Sequence, residues 1–83
     1  MIDNQTILDE LIVICSAQSN RVAIASSNLV TDLGFDSLDL VSISMTIEEH
    51  FPAAGPIDYD PMTMQTISDL ASFVENRLKA AIN

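Results

Sequence analysis

Leu33-Gly34-Phe35-Asp36-Ser37-Leu38-Asp39 is the stretch whose reading decides how this chain folds. Asp36 is a residue type that caps helices, and Asp39 follows three positions on. That is the spacing at which each side chain satisfies the other's backbone amide. The pair predicts a helix from Ser37 to about His50, led in by Gly34 as a hinge and stopped by Pro52. Ser37 then lies in the first helical turn. A helix N-terminus offers unpaired N–H groups and a partial positive charge, so an exposed serine there is well placed to carry a phosphodiester.

Upstream, Ile7, Leu8, Leu11, Ile12, Ile14 and Cys15 recur at helical spacing. They predict a helix that begins between Asp3 and Thr6, with Thr6 and Asp9 as a capping pair, and ends near Ser19-Asn20. The connection from about Ser19 to Phe35 is long for so small a domain. Its apolar members Val22, Ile24, Leu29, Val30 and Leu33 argue that it is ordered and packed on the core. Downstream, Asp60-Pro61 reads as a cap and first position of a short helix or turn within Ile57–Met64. The last helix opens at Thr66, with Asp69 completing its cap, and buries Ile67, Leu70, Ala71, Val74, Leu78 and Ala81. Arg77 and Lys79 sit in its final turns, where cations suit the macrodipole. No stretch alternates like a strand. The expected fold is all-α, an antiparallel bundle of three longer helices plus one short helix, in a single domain over 1–83.

Eighty-three residues, 48 % of them hydrophobic, suffice for one modest core and not for two. Twelve acids face only Arg21, Arg77 and Lys79, giving a net charge of -9. Between Val22 and Asn76 there are nine acids and no Lys or Arg. Such a surface repels nucleic acids and anionic membranes and steers toward basic protein patches. The plainer reading of the acidity is that it serves solubility alone. A lone Cys15 on an apolar helical stripe forms no intrachain disulfide and reads as core packing in a reducing cytoplasm. No apolar run approaches membrane-spanning length, and the start lacks a signal-peptide pattern.

The helix after Asp36 has two apolar stripes. At about 100° per residue, Leu40, Ile43, Ile47 and Phe51 form one, which is the core face. Leu38, Val41 and Met45 form the other, bordered by Asp39, Ser42, Glu48 and Glu49. A bundle this small cannot bury both, so the second stripe is expected to be exposed for docking, unless the long first loop folds over it.

The residues also exclude chemistries. A nucleophilic Ser37 needs a base within hydrogen-bond reach, and His50 lies thirteen residues along the same helix, about 20 Å away. Asp58-Tyr59-Asp60 lacks the glycine and terminal glutamate of a calcium loop. Asp36 and Asp39 read as solvated acids, and no metal is expected. Met62 and Met64 fit either core filling or an adaptable apolar pocket.

The Leu33–Asp39 run, the acidic helix after it and the closing Thr66-Ile67-x-x-Leu70 helix resemble the acyl carrier proteins, over essentially the whole chain. The resemblance implies a carrier and not an enzyme. A phosphopantetheinyl transferase would attach 4′-phosphopantetheine from coenzyme A to Ser37, with Asp36 and Leu38 flanking the attachment site and Asp36 helping to present the serine. The arm's thiol would hold an acyl group as a thioester. Asp36, Leu38, Asp39, Val41, Met45, Glu48 and Glu49 would dock partners: the transferase, an acyl-loading ligase or transacylase, and downstream synthase enzymes with basic patches. Ile47, Met62 and Ile67 would line an acyl pocket between the second and third helices of the family. A cytoplasmic monomer is expected, with no nucleic-acid partner and no membrane insertion.

Several positions depart from the family pattern. Ser42 and Ser44 stand where fatty-acid-synthesis members typically carry an acid, Ala53-Ala54-Gly55-Pro56 follows Pro52, and Pro61 and Met62 replace a dense acidic run. These favour a dedicated lipid or polyketide route over housekeeping fatty acid synthesis. A stand-alone aminoacyl or peptidyl carrier, or an acidic helical binding module without a prosthetic group, are the alternatives.

Overall fold

The computed structural model describes residues 3–57, 60 and 62–82. Helix α1 spans Asn4–Ser19, α2 spans Ser37–His50 and α3 spans Ile67–Ile82, with a short 3-10 turn at Pro52–Ala54. The described residues hold no strand, only an isolated antiparallel bridge between Asn28 and Thr66.

Each helix starts where its first orphan amides find acceptors. At α1 the cap is Asp3, whose carboxylate accepts from Thr6 N at 2.8 Å. The expected Thr6–Asp9 pair is therefore displaced by one turn, and Asp9 accepts from Gln5 Nε2 instead. Asn20, in the left-handed region at φ 59°, closes the helix. Helix α3 carries the expected reciprocal cap. Thr66 Oγ1 accepts from Asp69 N at 3.2 Å, and Asp69 Oδ2 accepts from Thr66 N at 3.0 Å. Its next amides are taken by the first loop, Ile67 N donating to Ser27 O and Ser68 N to Ala25 O.

Gln18 meets Asp39 and Glu10 meets His50, so α1 runs antiparallel to α2. Asn4 Nδ2 meets Glu75 Oε1, and the start of α3 meets Ala25 and Ser27 of the loop that follows α1, so α1 is also antiparallel to α3. Helices α2 and α3 consequently point the same way, and residues 51–66 carry the chain back between them. No Cα of α2 lies within 8 Å of one in α3 among the described residues, and side chains span the gap.

The core is continuous through Ile7, Leu11 and Cys15 of α1, Ile43 and Ile47 of α2, and Ile67, Leu70 and Val74 of α3. Cys15 is fully buried, which pushes its thiol pKa up to about 12. The first loop is ordered as expected, with Leu29 and Leu33 packed inward as the sequence predicts and its other anchors different. Ala23, Leu29, Leu33 and Phe35 are buried, whereas Val22, Ile24 and Val30 stand in solvent. Backbone bonds explain the difference. Leu29 N donates to Gln65 O and Phe35 N to Leu29 O, which fixes which side chains turn inward. Ala81 is likewise exposed, lying beyond the last buried turn of α3.

The short helix expected within Ile57–Met64 falls partly on residues 58, 59 and 61, outside the described set. Asp60 does open a turn there, its side chain accepting from Met62 N and its carbonyl from Met64 N. The short helical element seen is the 3-10 turn at Pro52–Ala54, which Pro52 begins after ending α2. Arg77 does more than face the end of α3, since its guanidinium reaches back to that turn.

Candidate functional site

Gly34 enters α2 with φ 71°, a conformation that side-chain-bearing residues rarely adopt. No atom would crowd a Cβ there, so backbone conformation and not space calls for glycine. Phe35 is buried and Leu40 packs against the core, the two positions of a hydrophobic staple that sets the angle of entry. Between them Asp36 Oδ1 accepts from Asp39 N at 2.9 Å, and Asp39 Oδ2 accepts from Asp36 N at 3.1 Å. This is the reciprocal cap that the sequence predicts.

Ser37 is thereby the first residue of α2, exposed. The third amide of the helix is used by the cap, while those of Ser37 and Leu38 have no acceptor among the described residues. A phosphate esterified to Ser37 would meet unpaired donors and the positive end of the helix. The opening thus fits a covalently held phosphodiester. It does not provide a general base, because His50 lies at the other end of α2 with Nδ1 3.7 Å from Glu10 Oε2.

One face of α2 leads away from Ser37. Leu38, Val41 and Met45 are 77 %, 57 % and 58 % exposed, so the first loop does not fold over them. The acids beside them differ in freedom. Glu49 is exposed. Glu48 turns Oε2 to the Ile57 amide at 3.0 Å. Asp39 serves the cap and accepts from Gln18 Nε2 at 3.2 Å. The backbone bond at Asp36, and then the Gln18 bond, hold the Asp39 pKa below its ordinary value. Gln18, Glu48 and Arg77 acquire roles that no local pattern announces, because each reaches a partner far away in sequence or in irregular backbone.

The three acyl-lining residues do not come together. Ile47 and Ile67 are fully buried, whereas Met62 is 82 % exposed. Met62 leaves the core because its amide is drawn to the Asp60 side chain, and Met64, two residues on, is buried instead. An open groove of ≈ 340 Å³ lies between α1 and α2 around Val13, Ala17 and Thr46, away from Ile47 and Ile67. Among the described residues no cluster of His, Cys, Asp and Glu is arranged for a metal, and Asp58 and Tyr59 lie outside them. No described helix is long and apolar enough to cross a membrane.

The family model for the phosphopantetheine attachment site matches residues 5–74, a span that includes Ser37. The chain is 41 % identical over 56 residues to an acyl carrier protein of Bdellovibrio bacteriovorus, covering 68 % of this chain and 70 % of that protein. It is 40 % identical over 53 residues to one of Campylobacter lari, covering 64 % and 68 %. It is 35 % identical over 69 residues to one of Akkermansia muciniphila, covering 83 % and 79 %. An all-helical fold, a helix start fit for a phosphodiester and this match along most of its length place the chain in the acyl carrier protein family, whose members are carriers of covalent 4′-phosphopantetheine and not enzymes.

Proposed function

We propose that Ser37 Oγ is the atom that carries the 4′-phosphopantetheine, and that the chain presents acyl groups on it as thioesters. The observation that carries the reading is an exposed serine at the first position of a reciprocally capped helix. The arm supplies the thiol and reach, and tethering raises the local concentration of cargo at a partner's active site. The protein supplies the address. Asp36 fixes the helix start, Leu38, Val41 and Met45 provide apolar contact, and Glu49 steers basic partners. Asp39 and Glu48 contribute to that field while also serving the fold.

Phosphopantetheinyl transferases and synthase enzymes are partners of carriers in general. For this chain the specific partners are an acyl-loading ligase or transacylase and enzymes with basic docking patches. Ser42, Ser44 and Ala53-Ala54-Gly55-Pro56 support a dedicated lipid or polyketide route over housekeeping fatty acid synthesis. Ile47 of α2 and Ile67 at the start of α3 line the acyl shelter. Met62, being exposed, belongs to the partner-facing surface instead. Residues 1–83 act as one monomeric carrier domain in the cytoplasm.

The test is intact mass before and after incubation with coenzyme A and a broad-specificity transferase, with Ser37→Ala alongside. A single phosphopantetheine adduct on the parent chain alone is expected. An adduct on the variant would place the attachment elsewhere.

A further inference from the structure

Residues 52–57 pack against the ends of α2 and α3 that lie away from Ser37. Ala54 and Ile57 of this segment are buried. Three polar contacts from the two flanking helices hold it. From the last turn of α2, Glu48 Oε2 accepts from Ile57 N at 3.0 Å. From α3, Arg77 Nε donates to Ala54 O at 3.0 Å and Nη2 to Pro56 O at 3.1 Å. The guanidinium lies over the Phe73 ring, 5.5 Å from its centroid, which fixes its direction. Gly55 allows the approach, with φ 74° and a position where a Cβ would stand 3.2 Å from Nη2.

Because the α2 and α3 backbones do not touch, this segment is the link between their parallel far ends. Ile47, fully buried, immediately precedes Glu48 and so adjoins the contact. From Ser37 to Glu48 the helix rises roughly 16 Å, which limits how far a chain entering beside Ser37 can run before meeting the segment.

Resting on the reading of Ser37 and of the Ile47–Ile67 lining, we infer that Glu48 and Arg77 clasp residues 52–57 as a floor that sets the length of acyl chain sheltered. Both are positioning residues, acting through Ala54, Pro56 and Ile57. Loosening either lets Ala54 and Ile57 give way, so longer chains gain apolar contact that the intact floor denies them.

The experiment loads the full chain with saturated acyl groups of increasing length and compares each thermal midpoint with that of the unacylated holo form. Mass confirms each load. In the parent chain the midpoint is expected to rise with length and then level off. In Arg77→Met and Glu48→Ala the holo midpoint falls, and the levelling point moves to longer chains. Glu48→Gln, which keeps an acceptor for the Ile57 amide, behaves as the parent. A uniform fall with an unchanged levelling point would leave the clasp merely structural and overturn the floor. A parent chain fully loaded yet showing no rise at any length would overturn the sheltering reading itself. A missing adduct would instead overturn Ser37.

Discussion

Ser37 holds nothing together. Its hydroxyl stands in solvent, so Ser37→Ala is expected to leave circular dichroism and melting close to the parent's while abolishing loading. Asp36 is the opposite kind of residue. Its carboxylate satisfies the Asp39 amide, and Asp36→Ala is expected to destabilise the fold by about 1 kcal/mol in denaturant titration. The caps also set an acid response. Folding lowers the pKa of Asp3 through its bond from the Thr6 amide, and that of Asp39 through the bond at Asp36 and then Gln18. A carboxyl with a lowered native pKa binds its proton more weakly when folded. Its contribution is therefore present above the ordinary value of 3.8 and is lost as pH falls through the native one. The acid limb of a stability profile should shift to higher pH in Asp39→Asn, and an unmoved limb would separate the cap from acid unfolding.

At the scale of the element, α2 divides its labour by face. Ile43 and Ile47 pack inward, and Ile47→Ala should cost about 2–5 kcal/mol, a large part of the stability of so small a domain. The outward face is better suited to function tests. Glu49→Lys should slow modification by the transferase, with a defect that shrinks as salt rises, since surface attraction is screened. Asp39→Lys would confound docking with the loss of a cap and of the Gln18 bond. The start, stop and two faces of α2 were legible from the sequence because capping and periodicity are local rules written within one turn or two. The start of α1 falls within the expected Asp3–Thr6 range and only its cap differs, because Asp3 and Thr6 are both acceptable caps and Asp3 takes the role by accepting from Thr6 N. In the first loop the burial of Leu29 and Leu33 was legible, whereas the exposure of Val22, Ile24 and Val30 was not. The bond from the Leu29 amide to Gln65 O, which no local spacing encodes, sets which side chains turn inward. Met62 was misplaced for the same reason, as the Asp60 turn sets its direction.

Over the whole molecule, a net charge of -9 gathers on 83 residues, and among the described residues Lys79 and Glu75 make the one Lys or Arg ion pair. Self-repulsion should lower the melting temperature in dilute buffer and salt should restore it. A midpoint indifferent to ionic strength would mean that local caps outweigh the long-range field. Of the three cations, Lys79 pairs with Glu75 and the two arginines hold backbone carbonyls. Arg21 donates to Asp32 O and Arg77 to Ala54 O and Pro56 O, so two of the three fasten irregular backbone near the ends of helices. The bundle was readable as all-helical. The shared direction of α2 and α3 was not, because it depends on the course of residues 51–66.

The buried Cys15 bears on the fidelity of the cargo chemistry. A carrier's arm ends in a thiol, and a second accessible thiol on the same molecule could accept the acyl group by transthioesterification or pair with the arm as a disulfide. Cys15 is fully covered, with its pKa pushed up to about 12, so it supplies almost no thiolate at neutral pH. Alkylation of the folded protein should therefore add one group to the holo form and none to the apo form, with a further group only on unfolding. The arm's thiol is then the one open to an acyl group in the folded holo form, so cargo is not diverted onto the protein's own cysteine.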